Sequence, residues 1–375
     1  MTSSTMNTLT ETRLGKLREL AEEAGFDAVV LVPGSTLTYI TSVSYHLSER
    51  PILLIIPAAG DAAMIIPTLE VPKIIDVLPF PIRFFSYTDN DGYRPAFEQA
   101  FKALGLSNRK IGVEGLQMRV LEGQLIQQYT PGCTVIAADE TLMRIRLYKE
   151  EAELAAMRKA IAISEAALEK TLARVRVGMT EQQIMNILLN EMAELDGGSN
   201  AFDPIVLTGP NTGQPHGVPG KRALQEGELL LFDFGTTVDG YPADITRTFA
   251  VGDIDPELRK VYDIVLMANE VGIRAIKPGV VAQDVDRLVR EVIEDSGYGK
   301  YFLHRTGHGL GLDVHEAPNI VEGNTQILEP GMVFTIEPGI YLPGKGGIRI
   351  EDNVVVTENG VEVLTSFPTA FRTIG

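Results

Sequence analysis

The chain has 375 residues, long enough for two domains, and its 45% apolar and 22% charged content is that of a globular protein. A net charge of −17, from 33 Lys and Arg against 50 Asp and Glu, argues against nucleic acid as a partner, because phosphates would be repelled. The single cysteine, Cys133, excludes an intramolecular disulfide and a Cys-based zinc knuckle, and it fits a reducing, cytoplasmic setting.

The N-terminus, from Met1 to Arg13, is polar and carries Glu11, so it does not read as a signal peptide. No apolar run approaches the length of a membrane span, and no membrane partner is expected. Residues 14–24 have helical spacing, Gly25-Phe26-Asp27 breaks it, and 28–32 reads as a buried strand. His46 reads as a loop residue. Residues 51–57 and 62–67 look like paired strands, and 111–113 and 134–136 like further strands with helix between them. Cys133 reads as a small buried apolar group. This alternation predicts an α/β domain over 1–147, followed by a second domain over 148–375.

The second domain opens with a long helix over 150–175. Thr180 starts another, with Gln183 completing a capping box. Asp255-Pro256 opens a third, with proline at the first helical position, and a fourth spans 283–295. An internal repeat organises this half. Gly227-Glu228-Leu229-Leu230-Leu231-Phe232-Asp233-Phe234-Gly235 aligns with Gly331-Met332-Val333-Phe334-Thr335-Ile336-Glu337-Pro338-Gly339, so Asp233 falls on Glu337. The first strand turns at Asp239-Gly240 toward Asp244. The second turns at Pro343-Gly344-Lys345-Gly346-Gly347 toward Glu351. Helix pairs precede both hairpins, with Gly178-Met179 and Gly279-Val280 at matching joints. A pseudo-twofold axis would bring all four acids to the seam.

Asp233, Glu337 and Glu351 lie in or beside apolar strand-like runs, where an ionised carboxylate is costly without a cation or a proton. Four such acids call for concentrated positive charge, and two divalent cations would neutralise them. Hard oxygen ligands with one imidazole suit Mn²⁺, Co²⁺ or Zn²⁺, and the carboxylate excess leans toward Mn²⁺. Such a pair would activate water and polarise a carbonyl. Four of the five histidines, His216, His304, His308 and His315, fall in this half. Gly307 and Gly309 flank His308 and would let the backbone approach a ligand or metal closely. Arg349, two before Glu351, either pairs with a ligand carboxylate or holds substrate. Tyr341 either packs or donates a hydrogen bond in the site.

On these motifs, from Pro215 to Asn353, the C-terminal half resembles the pita-bread metallopeptidases, the superfamily of methionine aminopeptidase, prolidase and creatinase. The whole chain resembles their proline-specific branch, Xaa-Pro dipeptidase (prolidase) and aminopeptidase P. The resemblance implies a creatinase-like α/β N-terminal domain and an α+β pita-bread catalytic domain with a pseudo-twofold internal repeat. It implies two divalent metal ions per subunit on Asp233, Asp244, His308, Glu337 and Glu351, with Asp244 and Glu351 bridging. It gives Glu337 the proton shuttle and sets His216, His304 and His315 around the substrate, His315 nearest the oxyanion. It further implies a homodimer and small peptide substrates with proline at the second position. An Xaa-Pro bond has no N–H to grip, and its secondary-amine leaving group needs a proton. A dipeptidase needs a cation for the substrate's carboxylate, and some family dipeptidases that resemble this sequence near His315-Glu316-Ala317-Pro318 place an arginine just after it. Here Asn319 stands there, leaving Arg349 or a histidine to serve. Xaa-Pro dipeptidase is the favoured reading and aminopeptidase P its alternative. Metal-free creatinase-type hydrolysis and a non-catalytic binding module are the competitors from other classes.

Overall fold

The computed structural model describes residues 3–78 and 80–374, so Met1 and Thr2 of the polar N-terminal stretch lie outside the described residues. The chain divides into two compact units, Met1–Arg146 and Leu147–Gly375. Leu147, assigned to the first domain by its sequence context, packs in the second unit with Ile276, Met332 and Phe334.

The first unit runs α1 (Ser3–Glu23), β1 (Ala28–Leu31), α2 (Ser35–Thr41), β2 (Leu53–Pro57), β3 (Ala62–Pro67), β4 (Ile82–Tyr87), α3 (Arg94–Leu104), β5 (Lys110–Val113), α4 (Val120–Tyr129), β6 (Thr134–Ala137) and α5 (Asp139–Met143). Its strands form one mixed sheet in the order β4-β3-β2-β1-β5-β6. Every residue of β1, β2 and β3 is buried. Covered on both faces, these strands are continuous apolar runs rather than alternating ones. Helix α3 buries Ala96, Phe97, Ala100 and Phe101, one stripe along its length, and Gly105 ends it at φ 64. Burying each phenylalanine contributes on the order of 2 kcal/mol.

The second unit begins with α6 (Glu151–Leu172) and α7 (Glu181–Glu194), followed by β7 (Ile205–Thr208), β8 (Glu228–Phe234), β9 (Thr237–Val238), β10 (Tyr241–Pro242) and β11 (Ile245–Val251). Then come α8 (Pro256–Ala275), α9 (Ala282–Asp295), β12 (Gly307–Gly309), β13 (Glu316–Ile320), β14 (Val333–Ile336), β15 (Gly339–Leu342), β16 (Gly346–Arg349), β17 (Asp352–Thr357), β18 (Gly360–Val363) and β19 (Thr373–Ile374). Thr180 and Gln183 make the capping box of α7, and Asp255 caps α8 by accepting from the Glu257 N–H at 2.8 Å. No helix among the described residues is long and apolar enough to cross a membrane.

The repeat is visible bond by bond. Strands β8 and β11 pair antiparallel, with the short ladder of β9 and β10 at their far end. Strands β14 and β17 pair likewise, with the ladder of β15 and β16 beyond them. The helix joints match as well. Gly178 N donates to Leu224 O at 2.8 Å and Leu224 N to Met179 O at 2.9 Å. Gly279 N donates to Leu328 O at 2.9 Å and Leu328 N to Val280 O at 2.8 Å. The two joint glycines sit at φ 92 and 89, which a side chain rarely adopts. Thr246 on β11 forms an isolated bridge with Glu351, and there the two halves meet.

Candidate active site

Each acid singled out in the sequence lies at or beside the end of a strand, where the ladder stops and the side chain turns inward. Asp233 is one residue from the end of β8, opposite Ile205 on β7 and Thr246 on β11. Asp244 precedes β11, Glu337 follows β14, and Glu351 precedes β17. His308 is the middle residue of β12. These five side chains converge on one cavity of about 580 Å³. His216, His304, His315 and Arg349 line it too. Tyr341 is buried behind that lining, only 2% exposed.

The distances are those of a tight polar cluster. Asp244, His308 and Glu351 each offer a ligand atom, all within 4.8 Å of one another. His308 Nε2 lies 3.4 Å from Glu337 Oε1 and 3.5 Å from Asp244 Oδ2. Thr246 Oγ1 donates to Glu351 Oε2 at 2.7 Å. By the repeat, Asn353 occupies the place of Thr246 in the other half, and its Oδ1 accepts from the Asp244 N–H at 3.2 Å. Arg349 donates to Asp233 Oδ2, to Thr246 Oγ1 at 3.0 Å and to Tyr341 OH at 2.8 Å. Having accepted from Arg349, the Tyr341 hydroxyl donates to His304 Nε2 at 2.8 Å. His304 Nδ1–H is left to donate to the Arg305 carbonyl, also at 2.8 Å. The rings of His308 and His315 meet edge to face, with centroids 4.2 Å apart.

Burial dominates the electrostatics. It raises Asp244 well above the carboxylate range, with Glu351 the next cause, and raises Glu351 likewise, with Glu337 the next. Glu337 is pushed up to about 8 by burial, although the Arg349 charge opposes the shift. The imidazoles move the other way. Burial lowers His308 to about 3 and His304 to about 4, so both are neutral and each can lend a lone pair. Four acids therefore share a pocket in which Arg349 alone makes a close ion pair among the described residues, with Asp233. The other Asp233 oxygen, Oδ1, is buried without a hydrogen-bond partner. An orphaned carboxylate oxygen, three acids resisting ionisation and a neutral imidazole fit a divalent cation.

The glycines around His308 let neighbouring strands pack closely against β12. A Cβ on Gly307 would stand 1.8 Å from Thr335 O, and one on Gly309 would stand 2.1 Å from Ala317 O. The close approach seen is to the neighbouring strands β14 and β13. Three residues with evident parts in the site escaped the sequence reading. Thr246 and Asn353 carry no local signal, since only strand register brings them to the acids. Arg305 also lines the cavity. Its position between His304 and His308 was the available clue.

Residues 155–358 match metallopeptidase family M24, and residues 13–148 match the creatinase/prolidase N-terminal domain. Solved structures resemble the chain over nearly its full length. A dipeptidase from Pyrococcus horikoshii OT3 is 37% identical with a TM-score of 0.90, and the match covers 96% of this chain and 100% of that one. The dipeptidase PepE from Mycobacterium ulcerans is 34% identical with a TM-score of 0.91, covering 98% of both chains. An Xaa-Pro dipeptidase from Bacillus anthracis is 31% identical with a TM-score of 0.89, covering 97% of this chain and 100% of that one.

Proposed function

The chain belongs to metallopeptidase family M24, and from that membership we propose that it hydrolyses Xaa-Pro dipeptides with the help of two divalent metal ions. Its first unit is a creatinase-like N-terminal domain, and its second has the pita-bread fold with its internal repeat. The observation that carries the proposal is the convergence of Asp244, His308 and Glu351 within 4.8 Å inside a cavity that Asp233 and Glu337 also line.

In this reading Asp233, Asp244, His308, Glu337 and Glu351 would hold the ions. Bound there, the pair supplies Lewis acidity toward the scissile carbonyl and toward water, and the donor set favours Mn²⁺ over Co²⁺ or Zn²⁺. Glu337 takes the proton that water releases and delivers it to the departing secondary amine. Its place on the cavity lining keeps that transfer inside the pocket. His315 and His216, both on the lining, offer N–H donors to the developing oxyanion. The Arg349–Tyr341–His304 chain fixes Asp233 on one side and the backbone beside Arg305 on the other, so these three residues position the site more than they contact substrate. Phe202, Ile205 and Val314 add apolar wall suited to a proline ring.

The likeness to an Xaa-Pro dipeptidase over nearly the whole chain supports the substrate class, and the 37% and 34% identity to dipeptidases, against 31% to an X-Pro aminopeptidase from Thermotoga maritima MSB8 of similar coverage, supports that activity over aminopeptidase P. A binding module or metal-free hydrolase would not need the complete acid set. The proposal extends to a cytoplasmic homodimer, which cell fractionation and light scattering would test. The main test is metal analysis together with hydrolysis of Ala-Pro and Ala-Pro-Ala by the Mn²⁺-loaded and the chelated enzyme. We expect two ions per chain, rapid cleavage of Ala-Pro, slow cleavage of the tripeptide, and no activity after chelation. Asp244→Ala should lose both bound metal and activity. Full activity without metal, or preference for the tripeptide, overturns the reading.

A further inference from the structure

Two guanidinium groups line the cavity, and their surroundings differ. That of Arg349 is enclosed. Besides Asp233, Thr246 and Tyr341, it donates to the Pro215 carbonyl at 3.3 Å, and its side chain is only 4% exposed. A substrate carboxylate could reach it only by displacing Asp233. Arg305 is half-buried and held at one end, Nη1 donating to Asn319 Oδ1 at 2.7 Å. No carboxylate among the described residues forms an ion pair with it. Its Nε and Nη2 edge, the side that grips a carboxylate through two parallel bonds, has no partner there either.

We propose that Arg305, steadied by Asn319, receives the C-terminal carboxylate of a dipeptide substrate. The inference rests on the dipeptidase reading above and names the residue that sets the substrate's length. The carboxylate of a dipeptide lies one residue beyond the scissile carbonyl, so its clamp has to stand beside the reacting cluster. Arg305 meets that requirement. It precedes His308 by three residues and lines the same cavity, and its Nη1 reaches Asn319 on β13, the strand paired with β12. His308, His315 and Glu337 line that cavity with it. Asn319 is then not a lost clamp but the prop of a clamp placed just before the facing strand β12. A longer peptide would bring a neutral amide to the same guanidinium and leave it desolvated without a counter-charge.

The test compares Ala-Pro with alanyl-prolinamide, which lacks only the charge. The parent enzyme should favour the acid in kcat/KM by roughly tenfold to a hundredfold, the scale of a charge-assisted hydrogen-bonded pair. Arg305→Gln should erase that preference, mainly through KM for Ala-Pro with a smaller change in kcat. Arg305→Lys should retain part of it, and Asn319→Ala should fall between parent and Arg305→Gln. A preference that survives in Arg305→Gln overturns the proposal, as does a parent that takes the amide or Ala-Pro-Ala equally well. If the parent cleaves no Xaa-Pro substrate, calorimetric binding of Ala-Leu and alanyl-leucinamide to the chelated protein decides the clamp alone. Preference for the acid that is lost in Arg305→Gln sustains the clamp and overturns only the Xaa-Pro reading. Equal binding of the two, or none, overturns both.

Discussion

Glu114 shows what one buried carboxyl does to the first unit. It is 5% exposed, and its Oε2 accepts from the Val32 N–H at 2.9 Å. Burial pushes it up to about 7 against the hydrogen bonds that favour ionisation. Its folded-state value thus lies above its unfolded one, so the folded unit holds a proton that the unfolded chain releases. The stabilisation is complete below the unfolded value of about 4.5 and is lost as pH rises toward 7, on the order of 3 kcal/mol over that window. Glu114→Gln, whose side-chain oxygen can still accept from Val32, should flatten this slope and raise stability near pH 7. Denaturant titrations at pH 5 and pH 7 on parent and variant check it, and an unchanged slope refutes it. At this scale the legible residues were the anomalous ones. Asp233, Glu337 and Glu351 stand out because an acid within or beside an apolar run has no bland partner nearby. Arg305 escaped because an arginine among polar neighbours looks like surface.

The elements that carry the site are anchored by buried acids of their own. Glu181, at the first turn of α7 and fully buried, accepts through Oε1 from the Thr208 N–H at 2.9 Å, the Thr208 hydroxyl at 3.2 Å and Asn211 Nδ2 at 2.9 Å. Its Oε2 accepts from the Gly220 N–H at 2.8 Å. One carboxylate thus ties both ends of the loop that bears His216. Glu181→Ala should leave metal content intact but lower kcat/KM about tenfold through a misplaced His216, besides costing about 1–3 kcal/mol of stability. Glu181→Gln keeps the Oε1 acceptor and mispairs only at Gly220, so it should recover most of the activity. Equal damage in the two variants, or loss of metal, would mean that the loop is not what Glu181 holds. The helices themselves were readable, since Thr180, Gln183, Asp255 and Pro256 announce their starts by capping chemistry. The layered hairpins were not. In each repeat an outer ladder and a short inner ladder follow one another, and no local pattern separates β16 from β17.

Across the whole molecule, the repeat was legible because its two copies preserve spacing, glycines at both strand ends and an acid at the same place, whereas the seam through Thr246 and Glu351 exists only in three dimensions. That seam concentrates acids which burial keeps protonated, and this couples folding of the second unit to metal and pH together. Without metal, Glu337 at about 8 in the folded state lies above its unfolded value near 4.5. Asp244 and Glu351 are raised in the same sense. The Glu337 stabilisation is therefore present below pH 4.5 and drains away as pH rises through 8, at up to about 1.4 kcal/mol per pH unit, and that of Asp244 and Glu351 is lost in the same direction. A divalent cation reverses the sign, because it binds the ionised carboxylates and rewards the protons' departure. At a hundredfold excess over its dissociation constant it adds about 2.7 kcal/mol to the folded state. Scanning calorimetry of the chelated and Mn²⁺-loaded protein between pH 5 and pH 8 should show the two melting temperatures separating as pH rises. The gap should appear in the transition of the second unit and be small in Asp244→Ala. A gap that is constant with pH, or that falls on the first unit, would disconnect the acid cluster from metal binding.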